Sequence, residues 1–293
     1  MSPLTWREVR AAATGRLASA GVANAAAEAR WMVERASGYE GAEAEAGLDV
    51  EVTQRTLAHF DAMLERRVGG EPLQYVLGAW GFRTLDLLVD PRVLIPRPET
   101  EVVAGVAVAE LERCRSEGAL APVAADLGTG SGAIGLSLAV ECPAAEVWLT
   151  DRSPAAIEVA SANLAGIGRA ATRVRIAAGS WFDALPADLE GRIHVVVSNP
   201  PYVGEGEDLP AEVAGWEPAE ALFAGPTGLD AVREVVAGAA TWLAPGGAVV
   251  VEIAPHQADE VAGFAREAGL VDGEVLPDLS GRARLLRARR VRP

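Results

Sequence analysis

The chain has 293 residues, of which 50% are hydrophobic and 23% charged, with a formal net charge of −15. That much apolar side chain excludes a disordered polymer, and no run of about 18 uncharged apolar residues is present, so no membrane span is expected. A protein that grips duplex nucleic acid needs a net basic domain or face, and the acidic balance argues against one. Every basic side chain except three histidines is Arg. Three histidines, and cysteines only at 114 and 142, match no zinc or redox spacing. No metal site is expected, and two free thiols fit a reducing cytoplasm. The first ten residues carry charges and lack an apolar core, so they do not read as a secretory signal.

Three regions follow in chain order. Residues 1–70 read as a small helical domain. Val9, Ala12, Ala13 and Leu17 recur at helical spacing. Trp31, Met32 and Val33 sit among charged residues in 25–36. Thr53 can cap a helix through Leu57, Phe60, Met63 and Leu64 that Gly69-Gly70 stops. Core packing accounts for the aromatic and Met side chains, and a role in substrate recognition is expected only by analogy. Residues 71–98 read as a linker with a β-hairpin. Leu85–Val89 and Val93–Ile95 are its strand-like runs, with Asp90-Pro91 as a turn.

From residue 99 strands and helices alternate. Strands are expected at 123–127, 146–150, 173–177, 193–198 and 248–253, each but the third followed directly by a helix or a turn signal, with two more near 271–276 and 283–289. A long loop is expected at 203–226. Alternation of this kind predicts an α/β, doubly wound, Rossmann-like parallel sheet. Six arginines cluster in the last twelve residues, at 282, 284, 287, 289, 290 and 292. They read either as a solvated final strand and tail or as a contact for an acidic or RNA-bearing partner.

Two motifs carry chemistry. The first is Asp126-Leu-Gly128-Thr129-Gly130-Ser131-Gly132, placed between a strand and a helix. Its glycines allow close backbone approach to a ligand. Asp151 follows Gly132 by nineteen residues, where an acid can accept hydrogen bonds from both ribose hydroxyls. This order points to an adenosine-containing cofactor and does not separate a dinucleotide from S-adenosylmethionine. The second motif is Asn199-Pro200-Pro201-Tyr202 at the end of the fourth strand. A carboxamide nitrogen is a poor nucleophile because its lone pair is delocalised into the carbonyl. It must be oriented by acceptors for both of its N–H groups, and the Asn199 side-chain oxygen and the Pro200 carbonyl are the candidates. The prolines present no competing N–H. Tyr202 can stack on the planar group. Positioning should then dominate the rate, with no His or Asp general base expected.

These residues resemble those of methyltransferases that act on planar amide or amine nitrogens. The resemblance narrows over segments 71–78, 93–101, 126–135, 179–182, 199–202, 217–222, 228–230 and 251–257. With its Leu-Ile-Pro-Arg-Pro-Glu-Thr-Glu block at 94–101, the chain is identified as a member of the HemK/PrmC family, the peptide chain release factor glutamine methyltransferases. The resemblance implies methylation of the glutamine amide in the Gly-Gly-Gln motif of release factors. S-adenosylmethionine is then the methyl donor and S-adenosylhomocysteine the product. It implies cofactor contacts at Gly128, Thr129, Gly130, Ser131, Gly132, Asp151, Trp181 and Asn199, with Trp181 against the adenine. Asn199, Pro200, Pro201 and Tyr202 would hold the glutamine amide. Arg97 and Glu99 either border the cofactor entrance or form a structural ion pair, and His256 is expected to face solvent. A cytoplasmic monomer is expected. The sister reading is a ribosomal protein glutamine as substrate. A nucleic-acid adenine, which would have to be flipped from its stack, fits the charge less well.

Overall fold

The computed structural model describes residues 4–292. The chain divides after Ala79 into two compact units.

The first unit is helical. It comprises α1 (Trp6–Ser19), α2 (Ala25–Ser37), α3 (Gly41–Ala46), α4 (Gln54–Val68) and α5 (Leu73–Leu77). Thr5 opens α1 with a capping box. Its hydroxyl accepts from the Glu8 N–H while the Glu8 carboxylate accepts from the Thr5 N–H at 2.9 Å. Thr53 caps α4 through the Thr56 N–H, and Gly69 ends that helix. Trp6, Val9, Ala13 and Leu17 of α1 pack with Met32 and Val33 of α2 and with Phe60, Met63 and Leu64 of α4. Glu28 and Arg67 are buried as a pair, with Arg67 Nε donating to Glu28 Oε2 at 2.6 Å. Helix α5 has no counterpart in the periodicity because five residues are too few to show one. Pro72 precedes it, Gly78 ends it in the left-handed region, and Arg66 donates to its Tyr75 carbonyl at 2.9 Å.

From Trp80 the second unit carries most of the hairpin β1 (Ala79–Phe82) and β2 (Leu85–Leu88), turned at Arg83. This differs from the expected pairing. The run Val93–Ile95 belongs to no sheet among the described residues. Val93 instead packs on Ala156 and Val159, and the Ile95 N–H donates to Glu217 Oε2 at 3.2 Å. Val93 and Ile95 are buried and Leu94 half-buried outside any ladder, and the Ile95 N–H is met by a side chain, so the run has no need of a strand partner.

Then follow α6 (Pro98–Ser116), β3 (Val123–Leu127), α7 (Ala133–Glu141), β4 (Glu146–Asp151), α8 (Pro154–Gly166), β5 (Val174–Ala178) and β6 (Ile193–Ser198). The chain closes with α9 (Ala211–Trp216), α10 (Asp230–Trp242), β7 (Leu243–Glu252), α11 (Ala258–Glu267), β8 (Val271–Pro277) and β9 (Ala283–Arg289). The sheet order is β5-β4-β3-β6-β7-β9-β8. The first five strands are parallel, and β9 runs antiparallel to both its neighbours. This is the expected Rossmann-like sheet. Successive residues of each central strand serve opposite faces: Ala125 and Leu127 join a core with α10 and α11, while Ala124 joins one with α6 and α7. A strand buried on both faces must be apolar throughout, which is why these segments read as continuous runs rather than alternations.

The C-terminal arginines have partners within the chain. Arg289 donates to Glu110 at 2.6 Å, Arg113 to the same carboxylate at 2.7 Å, and Arg287 lies 3.6 Å from it. Arg282 and Arg284 face Asp278, Arg290 donates to the Leu243 carbonyl, and Arg292 pairs with Glu117. Arg287 and Arg289 thus form an ionic seam between β9 and α6, while Arg282 and Arg292 remain largely exposed.

Glu110 is buried, and its arginine partners hold its carboxyl below the ordinary value against the cost of burial. A carboxylate whose pKa is depressed on folding stabilises above its unfolded value, and the contribution is lost as pH falls through the folded one. Replacing Glu110 by Gln removes the buried carboxylate that three arginines share and leaves them only the more exposed Glu117, Glu274 and Asp272, and urea unfolding at neutral pH should show a loss of about 2 kcal/mol. That loss should shrink as the pH is lowered into the acid range. A variant as stable as the wild type at neutral pH would show that the seam contributes nothing.

Candidate active site

Five strand ends converge on one edge of the sheet. The chain runs outward through β3, β4 and β5, then returns to place β6 beside β3. Ligands bind at such a reversal, outside the carboxyl ends of the strands. A cavity of about 340 Å³ lies there. Gly128, Thr129, Gly130 and Ser131 line it after β3, Asp151 at the end of β4, Trp181 after β5, and Asn199 and Pro201 after β6. Gly132, Pro200 and Tyr202 stand outside its wall.

The Gly-rich loop is closed upon the protein. The N–H groups of Gly128 and Thr129 both donate to the Thr150 carbonyl at 2.9 Å, and that of Gly132 donates to the Thr129 carbonyl at 2.8 Å. The Gly130 N–H donates to Asp151 Oδ2 at 2.9 Å. Beneath the loop, Asp126 Oδ2 accepts from the Thr129 hydroxyl at 2.6 Å and from the Gly135 N–H at 2.8 Å. A carboxylate therefore already occupies the first turn of α7. Gly132 is required by its left-handed φ of 87° and by Leu136, which a Cβ there would meet at 2.9 Å. Burial pushes the Asp126 carboxyl up to about 6, with the Thr129 and Gly135 hydrogen bonds opposing it.

Asp151 is held at both oxygens. Oδ1 accepts from the Ser153 N–H at 2.9 Å and Oδ2 from Gly130, so the carboxylate cannot rotate. Burial raises its pKa, and these two N–H groups oppose the rise. Trp181 has a φ of 42°, a rare conformation for a bulky side chain. Its indole N–H donates to Glu234 Oε2 at 3.0 Å, and a Cβ on Gly128 would come within 3.0 Å of its ring. Ring and loop thus form one wall, and strain of this kind gathers at functional sites.

The loop 199–202 is fixed from beneath. Ser198 Oγ donates to the Leu127 carbonyl at 2.6 Å, joining the ends of β6 and β3. Gln257 Nε2, fully buried, donates to the Tyr202 carbonyl at 2.9 Å. Gly228 sits so close that a Cβ would fall 2.2 Å from the same carbonyl. Asn199 Nδ2 donates to Thr100 Oγ1 at 3.2 Å, and Thr100 Oγ1 donates to Glu252 Oε2 at 2.7 Å. The Tyr202 hydroxyl donates to Glu252 Oε1 at 3.2 Å. Burial raises Glu252 to about 7, partly offset by Thr100, Arg284 and Tyr202. Burial and the neighbouring Glu252 push the Tyr202 phenol far above its usual value, so it stays a neutral donor.

Arg97 and Glu99 do not pair with each other. Arg97 donates to the buried Glu217, and Glu99 lies 3.7 Å from Arg282. Glu217 thereby ties the 95–97 segment to the loop after β6, beside the cavity residues Pro96 and Pro218. His256 is exposed. Among the described residues no His, Cys, Asp and Glu group is placed to hold a metal.

Sequence reasoning assigned no role to Thr100, Glu252, Glu217 or Gln257. One signal was available for Glu252. It is a carboxylate at the end of an otherwise wholly apolar strand that must be buried on both faces, and a buried charge in such a place calls for partners.

Residues 8–78 match the family model described as PrmC N-terminal domain, and residues 111–214 match that of the methyltransferase small domain. A release factor glutamine methyltransferase of Moorella thermoacetica is 40% identical over 98% of this chain and 99% of its own length. One from Cereibacter sphaeroides is 40% identical over 95% of this chain and 96% of its own. Among solved structures, the hMettl16 catalytic domain in complex with the MAT2A 3'UTR hairpin 6 aligns with a TM-score of 0.54 at 11% identity, over 82% of each chain, a likeness of fold alone. Similarity at this level over nearly the whole of both chains leaves one assignment: the chain belongs to the release factor glutamine methyltransferase family.

Proposed function

We propose that this chain transfers a methyl group from S-adenosylmethionine to the side-chain amide nitrogen of the glutamine in the Gly-Gly-Gln motif of peptide chain release factors. The observation that carries the chemistry is the Asn199 carboxamide. It stands on the cavity wall with its nitrogen engaged by Thr100, which leaves its oxygen to receive an N–H. In this reading the Pro200 carbonyl accepts the second N–H. The Tyr202 ring, fixed through its hydroxyl on Glu252, packs against the amide plane.

The cavity suits the methyl donor better than a dinucleotide. A pyrophosphate needs free N–H groups at a helix N-terminus. Here the loop N–H groups of residues 128, 129, 130 and 132 have partners, and Asp126 puts negative charge at the first turn of α7. An anion finds few free loop N–H groups, and on the cavity wall a cationic ligand meets Asp151, Glu220, Asp230 and Glu234, set against Arg92 and Arg152. When bound, S-adenosylmethionine supplies an electrophilic methyl group on a sulfonium. Asp151 is placed to accept from the ribose hydroxyls, Trp181 to cover the adenine, and residues 128–131 to lie along the ligand. Asn199 sits between this part of the cavity and the substrate amide. Because the donor is already activated, the chain contributes position above all.

No helix among the described residues is long and apolar enough to cross a membrane. A substrate from the translation machinery places the reaction in the cytoplasm, and nothing in the proposed chemistry calls for more than one copy of the chain.

Labelled S-adenosylmethionine offered with a release factor should label it, and a Gly-Gly-Ala variant of the factor should stay unlabelled. Label on both, or on a ribosomal protein alone, would move the acceptor elsewhere. Asn199→Ala should lower kcat by about a hundredfold or more while calorimetry shows a smaller change in cofactor affinity. Asp151→Ala should do the reverse, weakening cofactor binding by about tenfold with a smaller effect on kcat at saturation. Equal loss of both properties in the first variant would make Asn199 mainly a cofactor ligand.

A further inference from the structure

An asparagine carboxamide has two ends of nearly equal size, one an acceptor and one a donor. Turned the wrong way, Asn199 would present N–H to a substrate N–H and repel it. Nothing in the loop 199–202 itself decides which way the group turns. The deciding contacts come from two distant elements. Thr100 stands in the first turn of α6 and lines the cavity, and Glu252 ends β7, 1% exposed.

We propose that Glu252, acting through Thr100, is the positioning residue that sets which end of the Asn199 carboxamide faces the substrate amide. The argument rests on counting protons. An ionised carboxylate can only accept. Glu252 Oε2 lies 2.7 Å from Thr100 Oγ1, so the single hydroxyl proton of Thr100 is committed to it. At Oγ1 only lone pairs remain for Asn199, 3.2 Å away, and these can be met only by Nδ2. The oxygen is thereby turned toward the substrate. Tyr202 supports the same polarity by donating its own proton to Oε1 at 3.2 Å. This assignment rests on the reading of Asn199 as the residue that holds the amide.

The polarity depends on the charge of Glu252. Arg284 on β9, which itself pairs with Asp278, favours the ionised form, while Glu99 at the start of α6 opposes it. Tyr202 faces Glu252 from the loop after β6, with Arg97 near it. Protonated Glu252 becomes a donor as well as an acceptor, and the Thr100 proton is then free to turn toward Asn199. The sign follows: transfer is supported above the Glu252 pKa, about 7, and declines as pH falls through it.

The chain contains three asparagines, at 24, 163 and 199. With 15N-asparagine labelling, NMR therefore shows three side-chain amide pairs, and the one missing in Asn199→Ala is assigned. In the full-length wild type that pair should shift as pH crosses about 7, and in Glu252→Gln and Thr100→Val it should not. With a release factor as substrate, kcat should fall by about tenfold or more in Glu252→Gln and Thr100→Val, with the cofactor dissociation constant unchanged. The wild-type decline of kcat below the Glu252 pKa should be absent in Glu252→Gln. Thr100→Ser, which keeps the hydroxyl, should recover most of the loss. A merely structural Glu252 would lower stability and leave the pH profile of kcat in place. Wild-type kcat and pH profile in Glu252→Gln, or an Asn199 pair that ignores pH in the wild type, would overturn the proposal. A wild-type chain that leaves the release factor unlabelled, while its Asn199 pair titrates with Glu252, would overturn the substrate reading and support the relay.

Discussion

The carboxylate of Asp126 sits where β3 gives way to α7, and the Gly-rich loop is folded around it. Its Oδ2 accepts from both the Thr129 hydroxyl and the Gly135 N–H, so one oxygen ties the loop to the helix. That contact is possible because position 135 has no side chain. A Cβ there would come within 3.0 Å of Asp126 and 2.8 Å of Leu149. The consequence for ligand choice is electrostatic. A helix N-terminus is ordinarily an anion site, but here the protein has placed its own anion there and bonded most of the loop N–H groups elsewhere. What remains at the loop surface is backbone that can lie close to a ligand without attracting phosphate.

The strand order carries the same logic across the cavity. With β6 next to β3, the hydroxyl of Ser198 reaches the Leu127 carbonyl, and the loop 199–202 is brought beside the Gly-rich loop. With β7 next to β6, Glu252 lies under that loop and Gln257 just beyond it. Each strand end thus supplies one function: backbone approach from β3, a fixed carboxylate from β4, an aromatic wall after β5, an oriented carboxamide after β6. The β7 end supplies only support. Its side chains do not line the cavity, yet they bond to those that do.

The alternation of strand and helix was legible because residues buried on both faces must be apolar in an unbroken run, and each run ends in Gly, Pro or Asp. Both chemical motifs were legible because they are local: Gly128–Gly132 and Asn199–Tyr202 each occupy one turn at a strand end. The hairpin was misplaced because Val93–Ile95 has strand-like composition, but Val93 is buried against α8 and the Ile95 N–H is met by Glu217 rather than by a strand. The sequence could not show that Thr100 meets Asn199, since 99 residues separate them, or that Glu252 meets Thr100 across 152. Such contacts exist only after the sheet has formed. The arginine-rich end was open for the same reason. Composition suggested solvent or a partner; Arg282 and Arg292 are indeed largely solvated, while the fold brings Arg287 and Arg289 to Glu110, a residue on α6 that no local pattern connects to β9.

The buried carboxylate of Glu252, bonded to Thr100 and Tyr202, poses a choice between acid–base chemistry and orientation. A general base must come within hydrogen-bond reach of the proton it removes. Glu252 does not line the cavity, and its two oxygens are already engaged by Thr100 and Tyr202. For Glu252 to take a proton from an amide, Thr100 and Asn199 would both have to leave their places, and Gln257 and Gly228 hold the loop that carries Asn199. The methyl group departs from a cationic sulfur, so no negative charge need develop on the amide nitrogen before the bond forms, and the proton can be lost afterwards to solvent. A carboxylate buried at cost and set back from the cavity wall is then best accounted for by what it does to its neighbours' protons. It fixes their direction, and through them the face that the asparagine presents.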